Sequence, residues 1–449
     1  MADCCREFTR SQAVRHAVAE AGRGLPGIEP GMPLPAGTGL SRRSFLLRSA
    51  GLAVAVYGAQ NLGARAIDEA LAQASDGRIL VSVYLEGGLD GLSVLAPVGD
   101  PRYAALRPTL GLSPDAGTPF AEDDRLHWHP AADAFATLHS EGTLTVFPAI
   151  GYSGPNQSHF TSRHFWEVGA LDTQVRTGWL GRYLDLHGTS DNPLQGLSLT
   201  NLLMPALAAR SVPVASVLAA DDYSLPANGL SGPIKSGVHN GFAALGDGLA
   251  DGVAMEQART AVARSAALHR QLLGFNKLSS PVPYPDDPMG TKLAGLAGMI
   301  AAGLPLRCVS IQGTDGYDTH AGQGTSFGPT FRAAAESLLA FQRDIEARGL
   351  ADRVLVQVWS EFGRRPAENG SNGTDHGAGG VAFLIGNAVR GTMVGEFPGL
   401  AQLDRINNLR STSDFRGMYC SLLEEWLGVD AGPIIPDADS VERPQLLKA

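Results

Sequence analysis

Apolar residues in this chain gather in short unbroken runs rather than in alternation. Residues 79–85, 308–312 and 354–359 are each largely hydrophobic and of strand length, the pattern of strands covered on both faces. Residues 129–139 carry their apolar side chains at helical spacing, and 143–150 return to a continuous run, so the order begins strand, helix, strand. Helices are predicted over 255–273, 292–302, 327–348 and 414–427, and a further strand over 381–385. Such alternation makes an α/β fold, a doubly wound, mainly parallel sheet with helices on both faces. Residues 186–288 interrupt it with short apolar pieces and a Ser280-Pro281-Val282-Pro283-Tyr284-Pro285 break, and read as an inserted cap region. The α/β domain then covers 75–430, leaving 431–449 as a C-terminal tail.

Each buried run stops at a Gly-rich cluster of acids and histidines. The first ends in Glu86-Gly87-Gly88-Leu89-Asp90-Gly91, the second in Gly313-Thr314-Asp315-Gly316-Tyr317-Asp318-Thr319-His320, the third in Ser360-Glu361-Phe362-Gly363-Arg364. A polar loop then carries Gly373-Thr374-Asp375-His376-Gly377. Ligands bind beyond the carboxyl ends of parallel strands, so these endings converge if the strands share a sheet. Carboxylate and imidazole together suit a divalent metal ion.

Taken singly, the residues carry competing readings. Asp90 follows two glycines at a strand end and is either a metal ligand or the cap of the next turn. Asp318 and His320, one residue apart, project the same way in extended backbone and can share one ion; ordinary loops use the same spacing. Glu361 and the adjacent Asp375 and His376 complete the metal candidates, with a hydrogen-bonded loop as the bland alternative for the last two. Arg364 and Arg365 suit a phosphate or sulfate oxyanion, or pair with the neighbouring acids. Ser158 is the candidate nucleophile, activated by a cation, and equally the N-cap of a helix through Ser162 and Trp166. His159 beside it reads as ligand or acid. His127 and His129 read as capping or surface residues.

Composition narrows the partners. The formal net charge of the 449 residues is −10, and no basic stripe is present, which argues against nucleic acid or an anionic membrane. Ser41-Arg42-Arg43-Ser44-Phe45-Leu46 opens a weakly apolar stretch, 46–59, followed by Ala70-Leu71-Ala72. That order is the pattern of a removable twin-arginine export signal, so residues 1–72 read as signal and leader, the twin-arginine export machinery as a partner, and the location as periplasmic or secreted. The stretch is too short for a stable membrane span. Two cysteines remain downstream, Cys308 and Cys420, too few and too distant for a disulfide framework, and both are expected buried and free.

The twin-arginine leader, Gly87-Gly88-Leu89-Asp90-Gly91, Ser158-His159-Phe160, Gly178-Trp179-Leu180-Gly181, Asp318-Thr319-His320, Ser360-Glu361-Phe362-Gly363-Arg364 and Asp375-His376-Gly377, in that order, resemble the exported domain-of-unknown-function family 1501. That family looks like a branch of the alkaline phosphatase and sulfatase superfamily. The resemblance implies a site for two divalent ions (zinc, manganese or calcium) at the strand ends and hydrolysis of a small-molecule or polymer phosphate or sulfate ester. It assigns Asp90 to the first-strand aspartate, Ser158 to the nucleophile, Asp318 and His320 to one ion, and Asp375 and His376 to the Asp-His element, with Glu361 as an alternative occupant of that position. Ser153-Gly154-Pro155-Asn156-Gln157 lacks the arginine that formylglycine conversion requires. A non-catalytic binding or assembly module retaining the fold is the other reading.

Overall fold

The computed structural model describes residues 32–37, 54–57, 77–190, 192–200, 202–217 and 279–448. The central sheet is built from β1 (Val54–Tyr57), β2 (Ile79–Tyr84), β3 (Leu144–Gly151), β4 (Gly196–Ser198), β5 (Val214–Val217), β6 (Cys308–Gln312), β7 (Val354–Trp359), β10 (Gly380–Ile385) and β11 (Ser413–Asp414). A separate hairpin of β8 (Arg364–Glu368) and β9 (Thr374–His376) follows β7. Spatial order in the sheet is β1-β5-β4-β6-β2-β7-β10-β3-β11. Strands β5, β4, β6, β2 and β7 are mutually parallel; β10 runs against both β7 and β3, and β1 against β5.

Every residue of β2, β7 and β10 is buried, as continuous apolar runs require. The strand period of two divides them between two cores. Val81, Val83, Val354, Val356 and Val358 face one, against α1 (Asp133–Ser140), α4 (Pro288–Ala301) and α5 (Gln323–Ala347). Leu80, Tyr84, Leu355 and Trp359 face the other, against α2 (His159–Val168), α3 (Trp179–His187) and α6 (Phe415–Ser421). The fold is therefore α/β with a mainly parallel sheet covered on both faces.

The predicted helices and strands at 129–139, 143–150, 292–302, 308–312, 327–348, 354–359 and 381–385 match α1, β3, α4, β6, α5, β7 and β10, with shifted ends. The helix expected over 414–427 is α6 followed by a π-helical turn, Leu422–Trp426. The opening strands, β2 and β3, run parallel but are separated by β7 and β10. Inside the expected insertion, β4 and β5 belong to the central sheet, which their apolar pieces extend beyond β6. Of the tail, Ala431, Ile434, Ile435 and Leu446 are buried in the second core. Cys308 and Cys420 are buried and free. Among the described residues no helix is long and apolar enough to cross a membrane. The Arg42-Arg43 pair, Ala70-Leu71-Ala72 and the helix predicted at 255–273 lie outside the described residues.

Candidate metal site

Strands β6, β2 and β7 are adjacent and parallel, so their three Gly-rich endings meet along one rim. Gly87 explains how closely. Its φ is +120°, and a Cβ there would lie 2.5 Å from the Asp318 amide nitrogen. The glycines after β2 therefore let its backbone pass beneath the Asp318 loop.

Asp318 sits at the centre. Its Oδ1 lies 3.4 Å from His159 Nε2, 3.2 Å from His320 Nε2 and 3.3 Å from His376 Nε2. His159, at the first turn of α2, and His376, at the end of β9, are almost fully buried, whereas Asp318 and His320 keep 21% and 26% of their side-chain surface exposed. The cluster thus opens to solvent on the Asp318–His320 side. His159, Asp318 and His376 offer ligand atoms within 4.8 Å of one another, and are the group so placed among the described residues.

The outer nitrogen of each ring is committed. His376 Nδ1 donates to the Gln157 carbonyl at 2.7 Å, an atom that can only accept. His159 Nδ1 meets Glu361 Oε1 at 2.6 Å, and His320 Nδ1 meets Asp375 Oδ1 at 3.1 Å. With Nδ1 protonated, each ring faces Asp318 either as an imidazolium N–H or with an Nε2 lone pair. His320 Nε2 and His376 Nε2 stand 3.0 Å apart, where two lone pairs need a shared proton or cation between them. Backing an imidazole with a carboxylate or carbonyl is the usual second layer of a histidine metal site. The donor set therefore fits a divalent ion.

Burial pushes the Asp318 carboxyl up, but hydrogen bonds with His159, His320 and His376 and the charge of Arg364 outweigh it and hold it well below the usual range. Glu361 behaves alike: burial opposes ionisation, and the hydrogen bond and charge of His159 bring its pKa down. Both are ionised at neutral pH. Glu86, close behind, goes the other way, since burial lifts it to about 7 with Arg163 only partly offsetting.

Three expected site residues, Glu361, Asp375 and Arg364, hold the cluster from outside instead of joining it, and a fourth, Asp90, is engaged by other partners. Glu361 is fully buried; besides His159 it accepts from the Gly87 amide at 3.2 Å and from Ser360 Oγ at 3.0 Å. Asp375 neighbours His376 on a strand, so the two side chains leave opposite faces and Asp375 backs His320 instead. Asp90 faces inward: Arg107 grips it through two bonds of 2.6 and 2.9 Å, with Ser93 Oγ at 2.6 Å and Gln323 Nε2 at 2.5 Å. Arg364 is buried and spends its guanidinium on Asp318 at 2.6 Å, on the Gly88 and Thr374 carbonyls at 2.9 Å each, and on the Gly87 carbonyl. It anchors Asp318 rather than presenting an open fork to an oxyanion. Ser158 is the N-cap of α2, its Oγ accepting from the Thr161 amide at 3.4 Å. His129 caps the turn ahead of α1 through the Ala131 amide. Gln157, Arg107 and Gln323 escaped sequence reading, since none sits in an acid or histidine cluster.

The sheet with its His/Asp rim defines an α/β protein with a candidate metal centre at the carboxyl ends of its strands. A family model described as a protein of unknown function (DUF1501) matches residues 158–416, and the chain belongs to that family. No curated protein matches it. Solved structures similar to it include an alkaline phosphatase superfamily protein from Vibrio parahaemolyticus, 9% identical, covering 96% of this chain and 78% of that one at a TM-score of 0.35. The zinc complex of the C-terminal periplasmic domain of EcEptC from Escherichia coli is also 9% identical, with coverages of 84% and 89% and a TM-score of 0.38. A Bacteroides thetaiotaomicron protein tied to glycosaminoglycan metabolism is 9% identical, with coverages of 82% and 76% and a TM-score of 0.36. Likeness of this degree decides nothing about chemistry.

Proposed function

We propose that this protein is an exported, divalent-metal-dependent hydrolase of phosphate or sulfate esters, directed by its twin-arginine leader to a periplasmic or secreted location. The observation that supports it most is the convergence of three Nε2 atoms on Asp318 Oδ1, each ring fixed from behind. His159, Asp318 and His376 would hold the ion, with His320 beside them on the open side. Three imidazoles and one carboxylate suit zinc or manganese better than calcium, which prefers oxygen ligands. A bound ion would supply Lewis-acid stabilisation to the ester oxyanion. Glu361 and Asp375 keep the rings oriented, Arg364 keeps Asp318 ionised and in place, and Ser158, directly before His159 at the α2 N-terminus, would be the nucleophile.

The second reading is a non-catalytic binding or assembly module, favoured by the saturated guanidinium of Arg364 and the capping role of Ser158. Hydrolysis of aryl phosphate, phosphodiester and sulfate esters with zinc or manganese added back separates the two. Metal-dependent turnover that falls by about 100-fold or more in Ser158→Ala supports the hydrolase with a serine nucleophile. Turnover unchanged in Ser158→Ala removes the serine from the chemistry, and no turnover with any ester favours the module.

A further inference from the structure

A cleft of about 480 Å³ opens between the loop after β3 and the segment leading into α6, lined among others by Ser153, Asp404, Arg410, Ser411 and Ser413. Its lining adjoins the segments that carry the metal cluster, Ser153 and Pro155 lying shortly before His159 in the chain. Gln157, in that same loop, donates its Nε2 to the His376 carbonyl at 2.8 Å and to Asn408 Oδ1 at 3.0 Å, while Asn408 Nδ2 donates to Asp404 Oδ2 at 2.9 Å. Ala378, two residues beyond His376, lines the cleft as well.

The polar groups of the cleft divide into spent and open. Asp404 is filled by the amides of Ile406 and Asn408 and by the Asn408 side chain, and Asp414 by Arg416. Among the described residues the hydroxyls of Ser153, Ser411 and Ser413 make no side-chain hydrogen bond, and Arg410 makes one long one, 3.4 Å to Gln402. Gly151 lets the end of β3 close on this wall, since a Cβ there would meet Ser411 Oγ at 2.3 Å. The open set is therefore three hydroxyls, each able to donate and accept, and one guanidinium donor, with no uncompensated carboxylate, in a lining that also includes Tyr152, Pro155, Ala378 and Leu409.

We infer that this cleft is a saccharide subsite, and that the ester presented to the metal centre is carried on a sugar whose neighbouring ring occupies it. The inference rests on the hydrolase reading for its second half. Closely spaced hydroxyls on a pyranose ring each offer a donor and an acceptor, which three free serine hydroxyls match and an apolar peptide or lipid does not. The Arg410 guanidinium donates to a ring oxygen or hydroxyl at the outer end.

Two measurements on the full chain test it. Saturation-transfer NMR with unesterified cellobiose, maltose and chitobiose is expected to show binding of at least one to wild type and its loss in Ser153→Trp, which fills the exposed mouth of the cleft without touching the core. No disaccharide bound to wild type, or equal binding to the variant, overturns the subsite. In parallel, Ser153→Trp and Arg410→Ala should raise KM for a disaccharide phosphate or sulfate by about tenfold, while leaving kcat/KM for the para-nitrophenyl esters within about twofold. Equal effects on both esters refute the sugar assignment. Loss of all ester turnover in wild type would sink the hydrolase reading alone, because saccharide binding is read without it.

Discussion

At the residue scale, the chemistry of this rim depends on which carboxylates keep their charge. Asp318 and Glu361 stay ionised because each faces imidazole donors, whereas Glu86, whose nearest cation is Arg163 at 3.8 Å, is lifted by burial to about 7. Its folded value exceeds its unfolded one, so the stability it contributes is complete below about pH 4.5 and is lost as pH rises through about 7. The shift corresponds to about 3 kcal/mol. Glu86→Gln should gain roughly that much relative to wild type between pH 5 and pH 8 in urea unfolding. A stability difference that does not change with pH would show that Glu86 titrates normally. The same scale marks where sequence reading stopped. Asp318 and His320 were legible, because i and i+2 in extended backbone share a face; Asp90 was not, because its partner Arg107 lies 17 residues away without a signature.

At the scale of elements, the site is aimed by packing. Helix α2 carries His159 at its first turn and Trp166 two turns on. The Trp166 ring stacks on Trp359 of β7 at 5.3 Å and on Phe415 of α6 at 4.5 Å. Trp359 stands two residues before Glu361, so one aromatic layer fixes both partners of the His159–Glu361 bond. Trp166→Ala is expected to cost about 3–5 kcal/mol and to weaken metal retention although the residue touches no ligand. Thermal unfolding with and without added zinc checks both effects; normal metal-induced stabilisation in the variant would uncouple the aromatic layer from the site. Elements themselves were well legible where apolar runs were unbroken, as in β2, β6 and β7. Their neighbours in space were not, since β2 and β3 follow in sequence yet two strands intervene. Pairing partners are chosen by the tertiary fold, which local periodicity does not encode.

At the scale of the molecule, three strand endings, the first more than two hundred residues ahead of the other two, meet because β6, β2 and β7 lie side by side. That convergence was the inference the sequence carried furthest. Within that convergence the acids adjacent to histidines serve the rings from behind, and His159, Asp318 and His376 bring their ligand atoms together among the described residues. The most direct measurement is the metal content of protein purified without chelator, determined by elemental analysis for wild type, Asp318→Asn, His376→Ala and Asp90→Ala. About one zinc or manganese per wild-type chain is predicted, lost in Asp318→Asn and His376→Ala. Folded Asp90→Ala should keep it while losing about 3–5 kcal/mol of stability, because Arg107 is left buried without its counter-ion. Metal absent from folded wild type even after zinc and manganese are supplied, or retained in both ligand variants, would contradict the site.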